Sequence, residues 1–169
     1  MNLAERDDPD DRPAADSPRP DPALADAAAL VARAEADEAS AADARERFRH
    51  EPMPAQQPDD TMRPLLEAGE VVHTARSAAI LNTTTGASPL PGYGGTLYLT
   101  NRRLVHVGRV VVSIDLEQIR ELSLAGERLL LTFDGGEGIS LDLDRPRLLR
   151  VEIAAARAAA KARSSNQRP

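Results

Sequence analysis

Apolar and polar residues alternate most clearly near the end of the chain. Leu129, Leu131 and Phe133 occupy every second position, and so do Ile139, Leu141 and Leu143, with Ser140, Asp142 and Asp144 between them. A period of two marks a strand with one buried face. The stretch Asp-Gly-Gly-Glu-Gly at 134–138 separates the two runs, and its glycines supply the positive φ that a hairpin loop needs. Weaker versions of the pattern predict strands at 70–82, 96–100, 104–107, 109–114 and 119–125, the last with Leu122 and Leu124 on one face. Residues 83–95 read as a long loop and DLEQI, 115–119, as a turn or one helical turn.

Two segments follow the helical period instead. Over 145–163, Leu149, Ile153, Ala156 and Ala160 form an apolar stripe, while Arg147, Arg150, Arg157 and Lys161 fall largely on the other side. Asp144 is placed to cap this helix, and Pro146 suits its first turn. Residues 21–50 are nearly all strong helix formers, with Asp21 as cap, Pro22 in the first turn and Arg45, Arg47, Arg49 and His50 near the C-terminal end. The large apolar residues there are only Leu24, Leu30, Val31 and Phe48, a stripe so thin that the helix is expected to be exposed to solvent. The flanking segments carry no period. Residues 1–20 are acidic and proline-rich, the composition of a disordered arm. Residues 51–60 hold three prolines and read as an extended linker, and 164–169 as a disordered tail. The domain proper is then 61–163: mainly β with α, a split barrel of seven short antiparallel strands closed by the C-terminal helix.

Composition narrows the function. The chain has 169 residues and no cysteine, so disulfides and cysteine-based zinc sites are excluded. It holds no apolar run of membrane-spanning length, and MNLAERDDPDDRP lacks the apolar core of a signal peptide, so a cytoplasmic location is expected. Net charge is −6, unevenly spread. Residues 1–60 carry 16 acids and seven arginines, residues 61–169 carry 11 acids and 14 bases. An acidic tail on a mildly basic body is foremost a solubilising device, and secondarily one that screens or mimics a ligand. A search for catalysis returns almost nothing. With three histidines and no cysteine, nucleophile–base pairs are scarce, and no zinc-protease, phosphate-loop or serine-elbow string is present. No metal or cofactor is expected, and the chain is not read as an enzyme.

Several strings occur in a telling order: LLEAGEVV at 65–72, GTLYLTNRRLVHV at 95–107 and SIDLEQIREL at 113–122, followed by the last helix. This order resembles the GRAM and bacterial PH-like families, which share the pleckstrin-homology superfold. The resemblance covers about residues 63–162. Gly95, Leu97, Leu99, Thr100, Arg103 and Leu104 match the central hairpin pattern, and His106 departs from it, where the family tends to an aromatic or apolar residue. Membership would imply a PH-like split barrel that binds lipid headgroups, peptides or protein surfaces. The hairpin has two possible registers. A three-residue loop at 101–103 leaves His106 outside, whereas a two-residue loop pairs Leu99 with Leu104 and turns His106 inward; the family pattern favours the second.

The candidate ligand residues are the tip arginines Arg102 and Arg103, together with Arg109 and Arg76, since the planar guanidinium fork suits anions. Solvated turn arginines are nonetheless commoner than ligand grips. Leu90 and Tyr93 form a possible contact loop, but 83–95 carries no lysine or arginine, which weighs against tight phosphoinositide binding. Arg147, Arg150, Arg157 and Lys161 form a possible basic helix face. The leading expectation is a non-catalytic binding or adaptor module for a protein surface or peptide. The alternatives are peripheral binding to anionic lipid on the inner face of the membrane, and self-assembly through the alanine-rich helix or a sheet edge. Nucleic acid is disfavoured, because there is no aromatic platform or known motif and the pI is about 5.1.

Overall fold

Residues 22–83 and 93–166 of this computed structural model are described below. The expected arm at 1–20, the Asp21 cap, Leu90 and the last three residues lie outside them. The elements are α1 (Pro22–His50), β1 (Val72–Thr83), β2 (Tyr93–Thr100), β3 (Arg103–Gly108), β4 (Val111–Asp115), β5 (Ile119–Ala125), β6 (Arg128–Phe133), β7 (Gly138–Leu143) and α2 (Pro146–Asn166), with 3-10 turns at Arg63–Leu65 and Leu116–Gln118.

The seven strands make one antiparallel sheet in the order β4-β3-β2-β1-β7-β6-β5. The outermost strands, β4 and β5, do not pair, so the sheet curls without closing. Register shifts in β1, after Val72 and after Ile80, and in β5 after Ile119 supply the local bending. Its inner face gathers Leu97, Leu99, Leu104 and Ile114 from one half and Leu129, Leu131, Ile139 and Leu141 from the other into one core. Leu149, Ile153 and Ala156 of α2 seal that core, each fully buried leucine contributing about 2 kcal/mol by transfer from water. The architecture is the mixed β/α sheet with N- and C-terminal helices that the periodicities predict.

The hairpin adopts the two-residue loop. Leu99 pairs with Leu104 and Leu97 with His106, which puts His106 on the core face. The imidazole is buried, with Nε2 donating to the Ala78 carbonyl at 3.1 Å. It reaches β1 because β2 carries Gly95 at the crossing: a Cβ there would lie 2.8 Å from the ring and 2.4 Å from the Val107 carbonyl oxygen. Strand β2 also starts earlier than expected, at Tyr93, because Gly94 and Gly95 continue the ladder opposite Ala79 and Ala78. Helix α2 runs on to Asn166, past the expected end.

Three expectations need correction. Residues 51–60 are not a free linker. Asp59 accepts the Thr61 and Met62 backbone N–H groups at 3.1 and 2.8 Å and the Tyr98 hydroxyl at 2.7 Å, and Gln56 bridges to Val72. This lays the segment over the outer face of β2 and β3, where Met62, Val72, Tyr98 and Val105 form a second, smaller cluster. Nor does Asp144 cap α2; it is exposed. Arg145 takes the cap position with φ +59 and accepts the Leu149 N–H, which leaves the next donors unsatisfied. Asp37 of α1 accepts them: its carboxylate takes the Arg147 and Leu148 N–H groups at 2.7 and 3.0 Å. Around this contact Ala41, Ala44 and Phe48 pack on Leu148 and Val151, so the second half of α1 is docked. The expectation of an exposed helix thus holds only for its first half, and the second half corrects it.

Candidate functional site

The arginine tip is built into the fold. Arg102 and Arg103 follow Thr100 at the β2–β3 turn, and Glu67 and Glu70 reach the same place from the segment before β1. Arg103 grips Glu70 with both prongs, Nε to Oε1 and Nη2 to Oε2, each at 2.9 Å, and Nη2 also donates to the Leu65 carbonyl at 2.7 Å. The Thr100 hydroxyl stands 2.7 Å from Glu70 Oε1 and accepts the Arg102 and Arg103 N–H groups. Arg102 donates to Glu67 at 3.2 Å and to the Ala68 carbonyl at 3.0 Å. The Glu70 side chain is fully buried and that of Arg103 is 16% exposed. Burial pushes the Glu70 carboxyl upward, but the hydrogen bonds from Arg103, the Glu67 N–H and Thr100 outweigh it and hold the group below its ordinary range. The same bond to Glu70 raises Arg103 further, against its own desolvation. Gly69, at φ +72, lets the chain turn so that Glu70 points inward.

Two other candidates are likewise engaged by their own chain. Arg76 lies on the inner face of β1 and pairs with Glu152 of α2, both largely buried. Burial raises the Glu152 carboxyl above its usual value, and Arg76 only partly offsets this. Arg147 bonds to Glu127 at 3.0 Å and lies within 3.7 Å of Asp37 and Glu38. Arg109 is exposed in the β3–β4 turn beside the exposed Val110 and Val111. Tyr93 is the first residue of β2, opposite Ile80.

Arg150, Arg157 and Lys161 differ. They sit on one side of α2 at positions i, i+7 and i+11, and none of them makes a side-chain hydrogen bond or ion pair among the described residues. Two of them border an open groove of about 710 Å³ between α2 and the turn at Leu116–Gln118. Its walls are Leu116 and Glu117 on one side and Ala154, Arg157, Ala158 and Lys161 on the other. Leu116 itself is fully buried, anchored by its N–H to the Arg102 carbonyl at 2.9 Å. Next to this groove, Arg163 donates to the Asn101 carbonyl at 2.8 Å and ties the end of α2 to the hairpin tip.

The basic helix face is thus split by the structure. Arg147 turns to α1, while Arg157 and Lys161 face the groove. No local pattern marks Leu116 and Glu117 as its other wall, because that needs the path of α2 across the sheet. Among the described residues no group of three or more histidine, cysteine or carboxylate side chains could hold a metal ion. No helix is long and apolar enough to cross a membrane. The groove offers an apolar alanine floor with Arg157 and Lys161 on one side and Glu117 on the other.

No family model matches the chain, and no curated protein sequence matches it. Among solved structures it is similar to the crystal structure of the C-terminal domain of an unknown protein from Leishmania infantum, with 15% identity over 58% of this chain and 92% of that one and a TM-score of 0.47.

Proposed function

We propose that the chain is a non-catalytic binding module of GRAM or PH-like type, working in the cytoplasm, and that it recognises an acidic segment of a protein partner in the groove between α2 and the Leu116–Gln118 turn. One observation carries this. Four of the candidate cations, Arg76, Arg102, Arg103 and Arg147, are already held by carboxylates of their own chain, whereas Arg157 and Lys161, at the rim of an open groove, have no such partner among the described residues. A guanidinium whose donors are occupied has little left for an anionic headgroup. Arg157 and Lys161 keep theirs, and the alanines between them let a partner backbone come close. Peripheral lipid binding through Arg102, Arg103, Arg109 and the last helix is the weaker reading, because Arg102 and Arg103 are already held by Glu67 and Glu70.

An amide chemical-shift titration of the 15N-labelled chain tests this, using an alanine-rich helical peptide with a glutamate every fourth residue. At low salt the expected shifts cluster at Leu116, Glu117 and 154–165 and fade as salt screens the pair. The proposal is overturned if those amides stay still while anionic phosphatidylserine vesicles sediment the chain.

A further inference from the structure

Helices α1 and α2 lie side by side and run in the same direction. Asp37 meets the start of α2 at Arg147 and Leu148, and Phe48 lines a groove with Ala155 and Ala159 further along. The part of α1 before Asp37, Pro22–Ala36, therefore runs past the beginning of α2. Its fifteen residues amount to about 22 Å of helix at 1.5 Å per residue. Every described residue from Ala23 to Arg33 is exposed. Leu24, Leu30 and Val31 are 70%, 54% and 58% exposed, half of the exposed large apolar residues in the described chain.

The stripe that docks the second half of α1, at 37, 41, 44 and 48, continues backward through 34 to Leu30. The docking face thus outlasts the helix it docks on. The overhang also carries Asp26 and Glu35 against the single base Arg33. At the other end of α2 is the groove with the opposite character, an alanine floor with Arg157 and Lys161 that no described residue covers. The overhang cannot fold back onto its own groove, because α1 is one continuous helix pointing away from the C-terminal half of α2.

We infer that the overhanging half of α1 from one copy of this chain docks in the α2 groove of a second copy. The pairing presupposes that the groove binds protein, as proposed above, and names the occupant. Leu24, Leu30 and Val31 would cover the alanines, whose small side chains allow helix axes to approach to about 8 Å. Glu35, on the same helix face as Leu24 and Val31, would face the two cations, while Asp26, nine positions before it, lies on the opposite side. Each chain has one overhang and one groove, so the contact joins unlike surfaces and either closes on reciprocal exchange or propagates.

The test is sedimentation equilibrium of the full chain over a wide concentration range, with Leu30→Glu/Val31→Glu on the overhang and Arg157→Glu/Lys161→Glu on the groove. All four residues lie outside the core, and circular dichroism checks that both variants fold. The wild type is expected to exceed 18.1 kDa progressively as concentration rises, and each variant to associate at least tenfold more weakly. An equimolar mixture of the two variants restores one intact junction and is expected to form heterodimers. A wild type that stays at monomer mass at every concentration overturns the inference, as does association that neither variant weakens. A labelled peptide of residues 22–36 separates this from the broader reading. If it fails to bind while the generic acidic peptide still shifts the groove amides, the groove binds protein but not this helix. If neither binds, both ideas fall.

Discussion

The β2–β3 tip and the C-terminal half of α2 both present clustered cations, yet they do opposite things with them. At the tip, Glu67 and Glu70 come from the segment before β1 to meet Arg102 and Arg103, and the fork of Arg103 is saturated. On α2, Arg157 and Lys161 have no carboxylate partner among the described residues, although Glu117 lines the same groove. The tip holds the loop before β1 onto the sheet. The helix face leaves an open surface. Density of positive charge therefore does not tell which cations are left open in this protein; the supply of carboxylates from elsewhere in the chain does.

The largest expected effect comes from breaking the tip. Glu70→Ala leaves the guanidinium of Arg103 largely buried without its counter-charge, and should cost about 3–5 kcal/mol in urea unfolding. The double variant Glu70→Leu/Arg103→Met removes both charges and should recover most of that loss. A loss below about 1 kcal/mol for Glu70→Ala, the range of a surface pair, would mean that the tip arginines are available to ligands, and the contrast with α2 would collapse.

The helix face depends on a different long-range carboxylate. Asp37→Ala strips the two N–H groups at the start of α2 of their acceptor and should cost about 1–2 kcal/mol, with Asp37→Asn retaining most of the stability. Thermal unfolding of the two variants measures it. Equal losses from Ala and Asn would show that the charge, and not the hydrogen bonds, fixes α1 to α2.

These two cases mark what could be read in the sequence. The strands of 129–133 and 139–143 were legible because a period of two survives any tertiary arrangement. The two-residue hairpin followed from the resemblance, and His106 turned inward with it. Local helix signals did less well: Asp144 looks like a cap because it stands at the right distance along the chain, but Arg145 adopts a positive φ and the cap arrives from Asp37, 110 residues away. Asp59 is hidden for the same reason, since nothing along 51–60 announces that Tyr98 will donate to it. Arg102 and Arg103 read as ligand grips or solvated turn residues, and neither reading shows Glu67 and Glu70, the partners more than thirty residues back. Periodicity is local and legible, whereas charge pairing in this fold is set by topology.

Acid unfolding separates the buried carboxylates by sign. Glu70 titrates below its ordinary value of 4.5 in the folded chain, so the native state binds fewer protons than the unfolded state in that window. Its contribution is complete above pH 4.5 and is lost as pH falls through the folded value. Glu152 titrates above 4.5, so the native state binds more protons there, and stability declines as pH rises from 4.5 through its folded value. Glu70→Gln should flatten the acid limb of stability against pH, and Glu152→Gln should flatten the decline on the other side. Identical profiles for the two variants would remove the distinction between a carboxylate satisfied by its arginine and one only partly satisfied.

The smallest effect on stability is expected where the effect on binding is greatest. Arg157→Ala and Lys161→Ala remove side chains that hold nothing in their own chain, so each should change unfolding free energy by less than about 0.5 kcal/mol. The same substitutions should lower affinity for the acidic helical peptide at least tenfold together and reduce the salt dependence of what remains. Arg102→Ala serves as the internal comparison: it removes a charge of the same sign close to the hairpin tip, but one already occupied by Glu67 and the Ala68 carbonyl. It should leave peptide affinity within about twofold, because a donor already engaged with its own chain has little to offer a partner. If Arg102→Ala weakens binding as much as the α2 variants do, the peptide responds only to overall charge, and the groove has no privileged role. If only the α2 variants matter, an unpaired cation beside an apolar floor is what distinguishes a contact surface from a structural clamp in this chain.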